Sequence, residues 1–207
     1  MSTKAAISKC YQRFSSAEGN QHMASEYAVI KLQELIEYFR PGKVLEVGLG
    51  IGSIAGTLLD LNPDLDYTGT EANEFCLQAL PGNLGNKNER LKIFSSLAEV
   101  PERGKFDLII IDGKDRELEV VKKLLNKRGI ISIEGDRMPQ EQKLRNLFPK
   151  HKYVHCISTK KNPEYSPFPS DNWQGGIKII FSEPNLKQDL WRRKEKVKTK
   201  LKYLLMR

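Results

Sequence analysis

Residues 43–53 read KVLEVGLGIGS: an apolar run with β-branched Val44 and Val47 that ends in three glycines, Gly48, Gly50 and Gly52, spaced two apart. A buried strand that breaks into glycines and resumes as Ile54-Ala-Gly-Thr-Leu-Leu reads as strand, tight turn and helix. Glycine suits that turn because the backbone must bend sharply and let a ligand approach with no Cβ in the way. The helix that follows directs its unpaired N–H groups at the same spot, which suits the polar end of a nucleotide-like ligand.

Working outward, residues 1–20 read as a loose arm or short helix. Ala24, Ala28, Leu32, Leu35, Ile36 and Phe39 then give one apolar face to a helix spanning 22–39, with Ser25 and Glu26 in its first turn. Pro41-Gly42 stops it. Beyond the glycine turn, helix 54–61 leads to a second strand, 66–70, with Glu71 at its end. A short helix, 73–80, closes at Pro81-Gly82, and a polar loop reaches a third strand at 91–95. Phe106–Ile111 (FDLIII) is apolar throughout and ends at Asp112-Gly113, the mark of a strand buried on both faces. Helix 117–125 crosses over to strand 129–133, which ends in Glu134-Gly135-Asp136. After helix 140–148 come two late strands, 153–158 and 177–181, joined by a long loop without helical pattern. Alternation of this kind predicts a parallel α/β sheet with helices on both faces, and the final two strands can pair only antiparallel. Ligands of such sheets sit beyond the carboxyl ends of the strands. Gly48 to Gly52, Glu71, Ser95 and Ser96, Asp112, and Glu134 to Asp136 should therefore converge.

The chain of 207 residues is long enough for one substantial core. Its net charge of +8 is uneven: residues 187–207 hold nine Lys or Arg against two acids, leaving the remainder nearly neutral. Cys10, Cys76 and Cys156 are widely spaced, which disfavours disulfides and zinc. No signal-like apolar core opens the sequence and no apolar run reaches spanning length, so the expected location is cytoplasmic. The expected organisation is one domain over 1–185, in which a helical cap (1–40) covers a core (43–182), followed by a basic amphipathic helix over 186–207.

A dinucleotide fingerprint would require glycine at Ser53. The spacing here, Glu46-x-Gly48-x-Gly50-x-Gly52, resembles instead the first motif of the class I S-adenosylmethionine-dependent methyltransferases. With EVGLGIGS, the strand-end IDGK and GIISIEGD, it is most similar to small-molecule O-methyltransferases of the catechol-like kind. The resemblance implies a Rossmann-like open sheet of about seven strands, mostly parallel with a terminal antiparallel strand. It implies a cofactor, S-adenosylmethionine, held by Glu46, the glycines Gly48, Gly50 and Gly52, and Asp112. Glu71 would take the ribose, with Ala72 and Asn73 beside the ribose and adenine. Ser95 and Ser96 stand where the class often carries an acid toward the adenine amine. A carboxylate beside the turn suits a cationic cofactor better than a pyrophosphate, and two carboxylate oxygens suit a ribose diol.

On the acceptor side, Asp112 ends the most buried strand. In catechol-like relatives the matching acid ligates a divalent metal such as Mg, with an Asp-Asn pair at the end of strand five. Glu134-Gly135 aligns there, so the implied ligand set is Asp112, Glu134 and Asp136. Without metal, Asp112 or Glu134 serves as general base and Lys114 stabilises the developing oxyanion. His151, His155 and Cys156 read as ordinary strand and surface residues, and His22 reaches the cleft only if its helix packs over it. The loop 159–176, with Tyr165, Phe168 and Trp173, is an expected acceptor-binding lid.

The expected function is methyl transfer to a hydroxyl of a small molecule or glycan precursor. The alternatives are an RNA or protein methyltransferase guided by the basic tail, and a non-catalytic nucleotide-binding module. The Asn/Asp-Pro-Pro-aromatic motif of amino methylation is absent from the end of strand four, where Asp112-Gly113-Lys114 stands. The basic tail suits docking on the protein body or a homodimer, and also an anionic membrane surface or nucleic acid.

Overall fold

The structure, a computed structural model, describes residues 2–205; residue 1 of the expected cap and residues 206–207 of the basic tail lie outside them. Strands β1 (Lys43–Val47), β2 (Asp66–Thr70), β3 (Lys92–Phe94), β4 (Phe106–Ile111), β5 (Leu125–Glu134), β6 (Lys152–Cys156) and β7 (Ile177–Phe181) form one sheet. Their order is β3-β2-β1-β4-β5-β7-β6. The first five run parallel, and β7 is antiparallel to both β5 and β6. This is the expected Rossmann-like sheet, with the loop-connected final pair antiparallel.

Side-chain alternation divides the core between the two faces. In β4, Leu108 and Ile110 join the cluster under α1 (Thr3–Ser15), α2 (Glu26–Phe39), α3 (Ser53–Leu61) and α4 (Glu74–Leu84). Ile109 and Ile111 join the cluster under α5 (Val121–Leu124) and α6 (Met138–Leu147). All four are fully buried, which is why this strand reads as a continuous apolar run.

Register places the site. Val47 pairs with Thr70 on one side and with Ile111 on the other, and Ile111 pairs with Ile133. The strands therefore end level, and the next residues, Gly48, Glu71, Asp112 and Glu134, begin side by side along one edge.

Of the two forms expected for residues 1–20, the helix is the one realised: α1, which Ile7, Tyr11 and Phe14 bury against α3 and its neighbours. Three local readings are corrected. Helix α4 runs on through Pro81 and Gly82, carried by Leu80 and Leu84 packed on the start of α3. The crossover between β4 and β5 is only a 3₁₀ turn at Leu118–Val120 and a single turn of α5. β5 starts at Leu125 rather than at residue 129, with a register shift between Phe106 and Leu108 that lets residues 126–129 bulge.

Candidate active site

A cleft of about 630 Å³ opens along the carboxyl edge of the strands. Of the residues expected there, Gly48, Gly50, Glu71, Ala72, Asn73, Ser95, Asp112, Lys114 and Glu134 line it, whereas Glu46, Gly52, Ser96 and Asp136 do not.

The glycine turn is shaped by three close approaches. Gly48, at φ +87°, faces Gly113, and a Cβ on it would stand 2.4 Å from the Gly113 Cα. This contact draws the ends of β1 and β4 together at the cleft floor. Gly50, at φ +53°, carries the backbone of His22 across it, where a Cβ would lie 2.3 Å from the His22 carbonyl oxygen. The segment before α2 thus packs over the turn, and Gln21, His22, Met23 and Ser25 become part of the cleft wall. Gly52 acts on the other side of the turn, where its missing Cβ makes room for Leu80 and Leu84 of α4.

Glu71 gathers three backbone amides. Its Oε2 accepts from Gly50 N at 2.7 Å, and its Oε1 accepts from Ala72 N at 2.9 Å and Asn73 N at 2.8 Å. An ionised carboxylate offers about four acceptor positions, so about one remains for a ligand hydroxyl. Asn73 caps α4 by accepting from Cys76 N at 3.2 Å. Ser95, at the end of β3, instead binds Glu99 through its N–H and hydroxyl.

Glu46 lies beneath the turn, not in the cleft. It shares the face of Val44, so its side chain enters the cluster under α1–α3. It is fully buried, and its Oε2 accepts from the Tyr67 hydroxyl at 2.5 Å. Burial pushes its carboxyl well above the usual range, and the Tyr67 bond only partly opposes this. Its Oε1 has no partner among the described residues. The two-residue period of the strand sends an acid just before the turn to one side of the sheet, away from the edge.

On the acceptor side, Asp112 and Glu134 come together with Arg137. Arg137 donates to the Asp112 carbonyl and the Glu134 carbonyl, and stands 3.5 Å from Asp112 Oδ1. Burial and then the Glu134 carboxyl push Asp112 well above its ordinary value, while Arg137 pulls the other way. Glu134 Oε1 also accepts from Ser25 N at 3.3 Å, tying β5 to the start of α2. Ser25 in turn caps α2, accepting from Ala28 N.

The implied divalent ligand set does not assemble. The Asp136 side chain is 86% exposed and pairs with Lys178 at 3.4 Å, while a guanidinium already stands against Asp112. Among the described residues no group of three metal-ligating side chains converges. The residues present therefore do not fit such an ion. They do fit a cationic nucleoside, since carboxylates at three strand ends, Glu71, Asp112 and Glu134, face one cleft.

The loop 159–176 supplies Asn162, Phe168, Pro169, Asn172, Trp173 and Gly175 to the opposite wall. It is fastened, not free. Lys161 bridges to Trp173, Asn162 Nδ2 donates to Pro169 O, and Tyr165 OH donates to Glu26 Oε1 at 3.0 Å. The sequence marks Ser25 only as a first-turn helix residue and gives no sign that it or Arg137 reaches the cleft. Each gains that place through a contact with a distant strand end, Ser25 with Glu134 and Arg137 with Asp112, while Asn162 is set by bonds across its own loop to Pro169 and Asn172. Asp115 caps the turns at Leu97 and Glu117, accepting from both amides.

This strand order, with a glycine turn after β1 and acids after β2, β4 and β5, defines the class: the fold of the class I S-adenosylmethionine-dependent methyltransferases. It is shared with an O-methyltransferase from Bacillus cereus solved in complex with SAH (TM-score 0.63, 17% identity, 86% of this chain and 90% of that one). It is shared also with the O-methyltransferase TomG from Streptomyces achromogenes solved with SAM (TM-score 0.62, 12% identity, 86% of this chain and 89% of that one). A family model described as methyltransferase small domain matches residues 23–155, and the chain belongs to that family. Ribosomal RNA small subunit methyltransferase C of Shewanella loihica is 28% identical over 120 residues, 52% of this chain and 35% of its own length. Uncharacterized protein RP028 of Rickettsia prowazekii is 29% identical over 109 residues, 47% of this chain and 44% of its own. The chain thus spans less than half the length of these curated relatives.

Proposed function

We propose that this chain transfers the methyl group of S-adenosylmethionine to a hydroxyl of a small molecule or glycan precursor. The observation that carries the reading is the Asp112 carboxyl, set at the end of β4 inside the cleft with its proton affinity raised by burial and by Glu134. A carboxylate of raised pKa is a better base toward a hydroxyl than an ordinary one. When bound, the cofactor supplies an electrophilic methyl on a sulfonium. Glu71 and the Gly48–Gly50 backbone hold the nucleoside, with Ala72, Asn73 and Ser95 along its base. Asp112 takes the hydroxyl proton as the acceptor oxygen attacks, and Lys114 stabilises the oxygen as charge develops. Arg137 fixes the Asp112 carboxylate, and the 159–176 loop holds the acceptor near and aligned. No metal enters this route, so a chelator should leave the rate unchanged.

The test is titration calorimetry with S-adenosylmethionine and its demethylated product, then tritium transfer to a panel of phenols and sugars by wild type and Asp112→Asn. Absence of heat with either nucleoside, alongside tight binding of a nicotinamide or flavin coenzyme, refutes the reading. A fully active Asp112→Asn refutes the role of the base.

The ribosomal RNA methyltransferase among the relatives supports a second reading, methylation of RNA. Against it stands Asp112-Gly113-Lys114 in place of a motif suited to an amino group. Label incorporated into ribosomal RNA fragments but into no small acceptor would decide for RNA.

A further inference from the structure

The C-terminal helix α7 (Leu186–Leu205) packs against β6 and α2 by its polar side. Apart from Trp191, its docked residues are Gln188, Glu195, Thr199 and Lys202. Gln188 Nε2 donates to Arg128 O at 2.8 Å, Thr199 Oγ1 to His155 O at 2.8 Å, and Lys202 Nζ to Ile157 O at 2.6 Å. Glu195, only 3% exposed, accepts from Lys31 at 3.0 Å. An amphipathic helix that packs on a protein core ordinarily turns its leucines inward. Here Leu186, Leu190, Val197, Leu201 and Leu204 are 75%, 56%, 57%, 55% and 64% exposed.

At 3.6 residues per turn these five fall within an arc of about 60° directly opposite the docked side. Arg193, Lys196 and Lys200 flank the arc on one side, and Lys187, Lys194 and Lys198 on the other. Three of these six are engaged on the protein itself, Arg193 by Asp189, Lys198 by Glu195 and Lys187 by the Tyr38 carbonyl. Lys194 on one side and Lys196 and Lys200 on the other pair with no acid among the described residues and carry the uncompensated charge of the face. The result is an apolar stripe between two cationic rows.

We propose that this face of α7 lies in the surface of an anionic lipid bilayer. The leucines and Val197 enter below the headgroups, while the lysine and arginine stems splay sideways and place their charges at the phosphates. Charge selects this occupant. A second copy docking stripe to stripe would bring cationic row against cationic row, and a nucleic acid has no use for a stripe of leucines. No described helix is long and apolar enough to cross a membrane, so the helix lies on the surface and does not span it.

The test is co-sedimentation of the full chain with vesicles of phosphatidylcholine containing phosphatidylglycerol, and with phosphatidylcholine alone. Binding is expected only to the anionic vesicles and weakens as salt is raised. The triple variant Leu190→Ser/Leu201→Ser/Leu204→Ser should bind about a hundred-fold more weakly, with circular dichroism and cofactor binding unchanged, because all three side chains are exposed. The double variant Lys194→Glu/Lys200→Glu should lose the preference for anionic lipid while keeping the fold. Three results each overturn the proposal: no vesicle binding at low salt, binding indifferent to the triple leucine change, or a solution dimer that this change dissociates. RNA retention that survives the leucine changes and fails in the lysine variant, with vesicles unbound, overturns it in favour of nucleic acid.

Discussion

Replacing Glu71 with glutamine tests the cofactor half of the cleft. The carboxylate accepts from Gly50, Ala72 and Asn73 through both oxygens. Glutamine keeps one acceptor oxygen. If that oxygen serves Ala72 and Asn73, the new amide group faces Gly50 N–H, donor against donor. One hydrogen bond to a charged acceptor is lost and two become neutral, which together cost about 2–3 kcal/mol. For a chain of this size that lowers the melting temperature by about 5–10 °C. The remaining acceptor position, the one left for a ribose hydroxyl, also changes from charged to neutral, so S-adenosylmethionine should bind about 10–100-fold more weakly. Differential scanning fluorimetry and calorimetry read both effects. A Glu71→Gln variant whose melting temperature and cofactor affinity match wild type would show that this carboxylate neither organises the turn nor meets the nucleoside.

Three further outcomes follow from the same geometry. Asp112→Asn should lower turnover by about 10²–10⁴-fold with cofactor affinity within a few-fold of wild type. Because the folded Asp112 binds its proton more tightly than an unfolded carboxyl, stability falls as pH rises from the ordinary carboxylate range through the raised value. Turnover rises over the same window, and the Asn variant should lose both slopes in chemical denaturation and pH–rate profiles. Tyr67→Phe removes the hydroxyl that donates to the buried Glu46 carboxyl and should destabilise by about 1–3 kcal/mol, read as a lower urea midpoint; an unchanged midpoint would contradict this. Gly50→Ala must push the His22 carbonyl aside from a left-handed backbone, so it should weaken cofactor binding about tenfold or more, whereas Gly82→Ala, in helix α4 with open space around it, should be neutral or stabilise by about 0.5–1 kcal/mol.

The strand–glycine–helix unit and the Phe106–Ile111 strand were legible because their chemistry is local. A both-faces-buried strand must be apolar at every position, and a turn with positive φ at alternate residues wants glycine there. The strand-end acids Glu71, Asp112 and Glu134 were legible for a related reason: alternating strand and helix imply parallel strands whose carboxyl ends share an edge. By the propensity of Pro and Gly alone, helix α4 would end before Pro81; the packing of Leu80 and Leu84 overrides that preference. The motif spacing points Glu46 at the cleft, yet the pleat turns it into the core. The expected metal set fails on Asp136, which sits past a turn at Gly135, φ +72°, and leaves the edge for solvent and Lys178.

The amino-acid sequence by itself determined the sheet class, the glycine turn and which carboxylates would end the strands, since period and backbone preference act over a few residues. Only tertiary structure decided that Arg137 faces Asp112, that His22 roofs Gly50, that the 159–176 loop is pinned by Glu26, and that α7 docks by its polar side. Each of those depends on surfaces brought together from far apart in the chain, where hydrogen-bond satisfaction and burial at the contact, not the pattern of either partner alone, choose the arrangement.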